Sequence, residues 1–403
     1  MLRVAYLLSH PIQYQSPLLR RLAQQPEFEL TVLYTSDFSL RSYRDPGFGV
    51  AVEWDVPLLG GYRHEVLPRL LDGSQISFFR PLNRGIFDRL RRGRFDVLWI
   101  HGYATLNSWI AMAAAKALGI PVLMRTDSTL IDHPRGPAKL ALKRMFFAGM
   151  RRFIHGVLSV GQRNTEYWQH HFGAEIPVFP VPYAVDNAFF QQRCEAAAVM
   201  REELRRELNL EPNRPIILFA SKLLARKRCI DLVDAYLQLR QPTNSLNPAP
   251  YLIIVGDGEE RPRIEARLRD AAPGAGAEDV RLLGFRNQSE LPRYYDLCDV
   301  FVLPSIHEPW GLVINEVMNA GRAVVVSDQV GCQPDLVADG GNGRVFPAQD
   351  VAALAEVLRW LLADPVACHR MGKRGFEHIQ SFGFNANVQG LMQAFEAAAA
   401  HKR

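Results

Sequence analysis

Cysteine is scarce in this sequence, and the five that occur are widely spread, with no Cys-x-x-Cys spacing. An odd number of scattered thiols argues against a disulfide framework or a zinc site, and it favours a reducing compartment. Long apolar runs are also missing, because residues 110–124 are interrupted by Lys116, Gly119 and Pro121. No segment therefore approaches the roughly 20 apolar residues that cross a bilayer, and the first residues form too short an apolar run for a secretory signal.

The composition is that of an ordinary globular protein. Its 403 residues are 48% hydrophobic and 22% charged, which excludes a disordered or fibrous chain and predicts two or three domains. Formal charge is +5, from 47 Lys+Arg against 42 Asp+Glu. Residues 1–190 hold 22 Lys+Arg and 15 Asp+Glu, or +7, which leaves 25 − 27 = −2 for the remainder. The basic excess therefore belongs to the first half.

Two basic segments stand out in that half. Six arginines fall within residues 80–94, and Lys139, Lys143 and Arg144 lie among Leu142 and Phe146, as on an amphipathic helix. This pattern fits contact with an anionic membrane surface or attraction of an anionic substrate. A solvated helix face over a core gives the same pattern, so the sequence leaves both interpretations open.

Short apolar runs alternate with helical patterns along the whole chain, as in parallel sheets with crossover helices. Strands are predicted at residues 2–8, 30–34, 97–100, 122–124, 156–160, 216–220, 252–255, 280–283, 300–303 and 323–326.

The first five strands and the last five each form one series of alternating strands and helices. Two such series predict an α/β protein of two doubly wound Rossmann-like domains that face a central cleft, with a ligand at the carboxyl ends of the strands. The predicted domains are residues 1–190 and 191–380, with residues 381–403 as a helix that packs back on the first domain. A single helix is predicted over residues 193–209, and the proline-rich residues 177–187 are the predicted linker.

The most informative stretch is residues 304–321, PSIHEPWGLVINEVMNAG. Pro309 and Gly311 precede a helical run from about Leu312, so the first backbone amides of that helix are expected to face an anion such as a phosphate. Glu308 precedes the helix and Glu316 lies about one turn inside it. Two carboxylates, which only accept hydrogen bonds, suit the hydroxyls of a sugar and a ribose.

A second cluster follows the predicted strand 216–220. Lys222, Lys227 and Arg228 lie between that strand and the next helix. Cations in such a loop neutralise phosphate oxygens, and a departing diphosphate needs them most in the transition state.

The ordered set of these motifs resembles the donor-binding domain of retaining nucleotide-sugar glycosyltransferases of family 4, which have the GT-B fold. The resemblance covers about residues 200–380. It is carried by Lys222, Lys227, the Glu308-x7-Glu316 pair, and LIIVGDGEE (252–260), VRLLGF (280–285), YYDLCDVFVLPS (294–305) and NAGRAVVVSDQVGCQPDLVADGGNG (319–343).

The resemblance implies a role for each matching residue. Lys222 and Lys227 are expected to hold the donor diphosphate, although the position of Lys222 is commonly Arg in that family. Glu316 is expected to bind the ribose and Glu308 the transferred sugar. The remaining donor-binding positions are backbone: the helix start, Trp310, Gly311, Leu312 and Val313, and the turn against the base, Gly284, Phe285 and Arg286.

The first half matches the family only in layout. Candidates on the acceptor side follow predicted strand ends and are His10, Gln13, His101 and Asp127. The family often carries a His near Thr126 or Asp127, so Asp127 is the substitute expected here. The predicted catalytic residues are Glu308, Lys227, Asp127 and His101.

The expected reaction is retaining transfer from a nucleoside-diphosphate sugar to a hydroxyl acceptor, in glycan, glycolipid or surface polysaccharide synthesis. A uridine donor is favoured, and a guanosine donor stays open. Asp-x-Asp does not occur in the chain, so we expect neither a bound metal nor a cofactor. The expected partners are the donor and an acceptor that is anionic or lipid-linked or a soluble metabolite, but no nucleic acid. The expected location is the cytoplasm, including peripheral contact with the anionic inner face of the membrane.

Three other functions fit parts of the pattern. A nucleotide-sugar epimerase has the same two-domain frame, and a two-lobed binding protein would close on a sugar without chemistry. A nicotinamide oxidoreductase is suggested by Gly256-Asp257-Gly258, but the third glycine position of that fingerprint is Arg261.

Overall fold

The computed structural model describes residues 1–73, 75–131, 136–240 and 246–401. The chain divides into two compact units. Unit 1 comprises Met1–Tyr43, Val56–Ala184 and the residues from Phe384 onward. Unit 2 comprises Arg44–Asp55 and Val185–Gly383. Residues 44–55 therefore group with unit 2, although they lie in the first half of the sequence.

Eleven strands are described in residues 1–184. They are β1 (Leu2–Leu8), β2 (Phe28–Tyr34), β3 (Tyr43–Arg44), β4 (Ala51–Val52), β5 (Arg63–Val66), β6 (Arg69–Leu71), β7 (Leu82–Asn83), β8 (Val97–His101), β9 (Val122–Arg125), β10 (Gly156–Ser159) and β11 (Val178–Pro180). Seven of them form a parallel sheet in the order β11-β10-β9-β8-β1-β2-β5. β3 pairs with β4, and β6 with β7, in two small ribbons.

Helices cover both faces of this sheet. They are α1 (Ser16–Leu22), α2 (Ile86–Gly93), α3 (Leu106–Ala117), α4 (Pro137–Arg151) and α5 (Gln162–Phe172), joined by a last helix, Phe384–Ala400. Alternate residues of β1 bury themselves in two separate cores, with Ala5 and Leu7 on one face and Val4, Tyr6 and Leu8 on the other. Burial on both faces explains why the strands read as continuous apolar runs.

Unit 2 repeats the plan with six parallel strands. They are β12 (Ile216–Ala220), β13 (Tyr251–Val255), β14 (Val280–Gly284), β15 (Val300–Leu303), β16 (Ala323–Ser327) and β17 (Gly343–Phe346). Their order in the sheet is β14-β13-β12-β15-β16-β17.

The helices of unit 2 are numbered on from those of unit 1. They are α6 (Asn187–Val199), α7 (Arg201–Glu207), α8 (Cys229–Leu239), α9 (Arg261–Arg269), α10 (Leu291–Leu297), α11 (Leu312–Met318), α12 (Gln333–Leu336), α13 (Val351–Ala363) and α14 (Pro365–Ile379), which leaves Phe384–Ala400 as α15. Single 3₁₀ turns lie at Phe38–Leu40, Ala225–Lys227, Ala277–Asp279 and Gln380–Phe382.

The predicted α/β architecture of two Rossmann-like domains is confirmed. The strand predictions 2–8, 216–220 and 300–303 match the observed bounds, and the other seven are correct to within two residues. Apolar runs between loop signals determine these strands, so their positions could be predicted from local sequence.

One local prediction was wrong, and another was correct only in part. The helix predicted over residues 193–209 is interrupted at Met200, so α6 and α7 are separate. Arg201, the first residue after the break, donates to both carboxylate oxygens of Asp296, at 2.9 and 2.6 Å, a partner distant in sequence. The predicted linker, residues 177–187, does contain the boundary between the two units, which follows Ala184. Its first part is nevertheless a strand, because the backbone of Val178–Pro180 pairs with β10.

Within the described residues, no helix combines the length and the apolar character that a membrane span requires. All five cysteines are buried as thiols.

A close backbone approach in unit 2 generates the first prediction. A Cβ atom on Gly372, in α14, would lie 2.2 Å from the carbonyl oxygen of Gly321. Gly372→Ala should therefore lower the free energy of unfolding by about 1–3 kcal/mol, because either the helix or the loop must shift. Urea unfolding measures the change.

Gly375→Ala, three residues further along α14, is the matched control. The nearest atoms to a Cβ there are 3.6 Å away, which is ordinary contact. Alanine is the better helix former, so this variant should be neutral or more stable by up to about 1 kcal/mol. Equal loss of stability in both variants would contradict the proposed packing.

Candidate active site

The loops that follow four strands of unit 2 meet at the carboxyl edge of its sheet. The Leu223 amide donates to the Asp257 carbonyl at 2.9 Å, which joins the loops after β12 and β13. The Gly256 amide donates to the Gly284 carbonyl at 2.8 Å, and this bond reaches the end of β14. The Ile306 amide donates to the Arg226 carbonyl at 2.9 Å and connects the loop after β15. The carboxyl edge of a parallel sheet is where ligands bind in such folds.

Gly256 and Gly258 are needed for this packing. A Cβ on Gly256 would lie 1.9 Å from the Ser221 carbonyl oxygen, and one on Gly258 would lie 2.5 Å from that of Leu223. Both residues also have positive φ, +133° and +152°. The two glycines thus allow two loops to touch, which gives the Gly-Asp-Gly sequence a packing role without a dinucleotide.

Lys227 and Glu308 form a buried ion pair between two of these loops. The Lys227 Nζ donates to a carboxylate oxygen of Glu308, and each side chain is only 10% exposed. Lys227 ends the 3₁₀ turn Ala225–Lys227, while the Gly331 amide fixes the Glu308 carbonyl at 2.8 Å. The structure therefore brings together a predicted phosphate ligand and a predicted sugar ligand.

The helix predicted from Leu312 begins there. Gly311 precedes α11 with a φ of +99°, a conformation that favours glycine. Trp310 is buried, and its indole Nε1 donates to the Asn315 side chain at 2.9 Å. The Trp310 carbonyl accepts from Cys332 at 2.9 Å. The first turn of α11, with Leu312 and Val313, is thus held rigidly beside Glu308.

Glu316 is partly buried in α11 and pairs with a tyrosine that sequence reasoning missed. The Tyr295 hydroxyl donates to the Glu316 carboxylate at 2.6 Å. Burial raises the pKa of Glu316 to about 7, although the tyrosine hydrogen bond acts in the opposite direction. Near neutral pH this carboxyl therefore exchanges between an acceptor-only and a protonated form.

The turn expected to meet the base lies at the end of β14. Gly284 has a φ of +70°, and Arg286 Nε donates to the Tyr294 hydroxyl at 3.1 Å. The Phe285 ring packs edge-to-face against Phe48, with centroids 4.8 Å apart. Phe48 belongs to residues 44–55 and was not predicted as part of any site.

Lys222 also has a partner that the sequence did not reveal. Its Nζ donates to both carboxylate oxygens of Asp45, at 2.7 and 2.9 Å. Both lysines of unit 2 that were predicted to bind phosphate therefore form an ion pair with a carboxylate.

In unit 1, the predicted histidines follow β1 and end β8. His101 Nδ1 lies 3.0 Å from the Tyr6 hydroxyl, and the His10 Nδ1 lies 2.9 Å from the Ser9 hydroxyl. Burial, aided by the charge of Arg125, lowers the pKa of His101 to about 3. Burial lowers the pKa of His10 to about 4. Both imidazoles are neutral at pH 7, so either can exchange hydrogen bonds with a hydroxyl but does not carry charge.

Asp127 lies half-buried after β9 among aromatic hydroxyls. Burial, and then the Asp127 carboxylate, raise the pKa of the Tyr14 phenol. Tyr14 packs edge-to-face on Tyr183 at 5.8 Å. Gln13 is half-buried in the turn before α1, one residue from Tyr14.

Arg125 is the cation of this cluster and was missed as a candidate. It ends β9, is 2% exposed, and lies 4.9 Å from the centre of the Tyr183 ring. Its one signal in the sequence is an arginine that directly follows the apolar run Val-Leu-Met. The four acceptor-side candidates thus lie in unit 1, whereas the donor-binding candidates lie in unit 2.

Among residues 1–73, 75–131, 136–240 and 246–401, no group of three or more His, Cys, Asp or Glu side chains is arranged to hold a metal ion.

Known proteins are similar to this chain in sequence and in fold. Residues 200–378 match the family described as Glycosyl transferases group 1. Over 318 residues the chain is 31% identical to the D-inositol 3-phosphate glycosyltransferase of Nocardia farcinica. This alignment covers 76% of this chain and 67% of that protein.

Two solved structures are similar over almost the whole chain. Sucrose-phosphate synthase from Thermosynechococcus elongatus aligns with a TM-score of 0.70 at 21% identity, covering 99% of this chain and 100% of that one. Anabaena HepE in complex with UDP and glucose aligns with a TM-score of 0.69 at 18% identity, covering 98% and 100%. The chain belongs to the group 1 glycosyl transferases and has the GT-B fold that its motifs predicted.

Proposed function

We propose that this glycosyltransferase is a retaining, metal-independent enzyme that moves a sugar from a uridine diphosphate sugar to a hydroxyl acceptor. The observation that carries the proposal is the Lys227–Glu308 pair beside the first turn of α11, with Glu316 one turn further on. The cation and the Glu308 carboxylate lie on adjoining loops at one sheet edge, next to the helix that carries Glu316, and this arrangement suits a phosphorylated sugar.

The donor diphosphate enters a site where opposite charges are already paired. Lys227 turns from Glu308 to a phosphate oxygen, and the Glu308 carboxylate then accepts from hydroxyls of the transferred sugar. Lys222 and the partial positive charge at the start of α11 add to Lys227 in meeting the diphosphate charge. Glu316 accepts from the ribose hydroxyls.

Retention follows from attack on the face that the diphosphate leaves. The bond between the anomeric carbon and the diphosphate oxygen breaks, and the electron pair goes to the diphosphate. The acceptor oxygen bonds to the same carbon and gives its proton to a leaving phosphate oxygen. Lys222, Lys227 and the α11 amides stabilise the growing negative charge, which needs no metal and no protein nucleophile.

Acceptor-side residues in unit 1 complete the proposal. Asp127 and the neutral His101 are suited to orient hydroxyls, and His10 and Gln13 lie on the loop after β1. A double displacement through Asp127 is the alternative mechanism, because it is the one predicted acceptor-side carboxylate.

The uridine preference has one support, because the turn Gly284–Arg286 does not by itself distinguish uracil from guanine. The structural neighbour HepE is described in complex with UDP and glucose, which is a property of that protein. A guanosine donor is the competing choice and is part of the test.

The basic half of the chain supports an acceptor that is anionic or lipid-linked, in glycan, glycolipid or surface polysaccharide synthesis. On α4, Leu142 is 68% exposed and Met145 is 72% exposed, next to Lys143 and Arg144. Exposed apolar side chains flanked by cations suit peripheral contact with an anionic membrane.

Donor turnover is the direct test. Incubated with a panel of UDP- and GDP-sugars together with extracted lipid and soluble acceptors, the enzyme should release UDP, and EDTA should leave the rate unchanged. NMR of the glycosylated product should show the anomeric configuration of the donor. Glu308→Gln should lower kcat by about ten- to a hundred-fold with little change in KM, because it removes a charged hydrogen bond that strengthens in the transition state.

Glu259→Gln is the matched control. Its carboxylate accepts from the Ala225 amide of the same loop but is exposed, so the rate should stay within about two-fold of wild type. An altered sugar still attached to the nucleotide would identify an epimerase instead. Stabilisation without turnover would identify a binding protein.

Donor affinity should depend on pH through Glu316. With its pKa at about 7, Glu316 gains its charge as pH rises, so UDP affinity measured by calorimetry should rise about ten-fold from pH 6 to pH 8. Glu316→Gln should bind weakly and show a flat profile.

Tyr295→Phe gives a second check on the same group. Its hydroxyl lowers the pKa of Glu316, so its removal should move the midpoint of the affinity profile to higher pH. A wild-type profile that matches Glu316→Gln would contradict the ribose assignment.

Membrane contact is tested with vesicles. The enzyme should co-sediment with phosphatidylglycerol vesicles and less so with phosphatidylcholine vesicles, with weaker binding at high salt. Leu142→Glu and Met145→Glu should each reduce binding about ten-fold, because a charge replaces buried apolar area. Val366→Glu, at a 74% exposed position of unit 2, is the control; equal losses in all three would contradict a role for α4.

A further inference from the structure

Residues 44–55 form a strap that belongs to unit 2 although they lie between two segments of unit 1. The strap carries most of the β3–β4 ribbon, and its turn is closed by the Asp45 amide, which donates to Val50 at 3.1 Å. Its far end is tied to the loop before α10. Asn287 Nδ2 donates to the Glu53 carbonyl at 2.6 Å, and Ser289 donates to the Asp55 carboxylate.

The strap places a carboxylate on the lysine proposed to bind the donor diphosphate. Asp45 accepts two hydrogen bonds from the Lys222 Nζ, at 2.7 and 2.9 Å, and is itself 8% exposed. The amides of Gly47 and Phe48 also donate to its Oδ1, at 2.8 and 3.0 Å. Burial alone would raise the pKa of Asp45, but these donors and the Lys222 ammonium lower it below the ordinary value.

An aromatic ring accompanies this carboxylate. The Lys222 Nζ lies 4.6 Å from the centre of the Phe48 ring, and the same ring packs on Phe285 at 4.8 Å. Phe48 thus spans from the diphosphate lysine to the turn proposed to meet the base. Gly47 allows this approach, because a Cβ there would lie 2.7 Å from the Lys222 Cδ.

We infer that the strap is an autoinhibitory cover in which Asp45 occupies the place of a donor phosphate on Lys222. The inference rests on the proposed function and names how access to that site is controlled. Lys222 has three N–H donors and one positive charge, and Asp45 takes two of those donors. A carboxylate and a diphosphate oxygen are both anionic acceptors, so they repel each other at one ammonium. A donor therefore binds only as Asp45 leaves Lys222 and the strap loosens.

Asp45→Asn tests this competition. Asparagine keeps an acceptor for the Gly47 and Phe48 amides but loses the charge that competes for Lys222. UDP affinity, measured by calorimetry on the full chain, should rise about ten-fold relative to wild type, because one charged hydrogen bond no longer has to be broken. Glu53→Gln is the control, since it removes the same charge from an exposed side chain of the strap, and its affinity should match wild type.

Hydrogen exchange provides a readout that does not depend on a variant. Addition of UDP to the wild-type chain should speed exchange of the amides in residues 44–55. Equal UDP affinity of wild type and Asp45→Asn, or weaker binding by the variant, would overturn the cover while leaving the proposed function intact. Failure of wild type and variant alike to bind UDP or GDP would overturn both.

Discussion

The Lys227–Glu308 ion pair is the interaction on which the proposed donor site depends. It joins the loop after β12 to the loop after β15, and both side chains are almost fully removed from water. Buried charges are tolerated only in pairs, so each residue fixes the position of the other. Backbone hydrogen bonds lie next to this pair, from the Ile306 amide to the Arg226 carbonyl and from the Gly331 amide to the Glu308 carbonyl. Together they position the start of α11.

The same constraint gives the site its chemical character. Each lysine proposed to hold phosphate forms an ion pair with a carboxylate in the structure. Lys222 pairs with Asp45, and Lys227 pairs with Glu308. The two carboxylates differ in what they can do next. Glu308 lies where sugar hydroxyls are proposed to arrive, so it exchanges one set of donors for another. Asp45 has no such replacement beyond its own strap amides, and it competes with the ligand.

Much of the fold, but less of the site, could be predicted from the sequence. Strands buried on both faces leave continuous apolar runs, and the loop glycines and prolines leave local signals, so β12, β15 and α11 were predicted closely. Asp45 and Lys222 are 177 residues apart, and nothing local marks a short segment as part of a distant unit. Tyr295 and Arg125 were missed for the same reason, since a buried partner is defined by tertiary contact alone. The motif order identified the donor-binding half because its loops are short and keep the spacing of each residue to its strand.

The return of α15 to unit 1 has a consequence for biosynthesis. Its Val388, Leu391, Ala394 and Phe395 complete one of the two cores of that unit, and Phe395 packs on Phe28 and Trp99. The ribosome makes the strands of unit 1 first but supplies this helix after all of unit 2. The half of the protein that is synthesised earliest is therefore the last to close its core, and until then it carries exposed apolar surface.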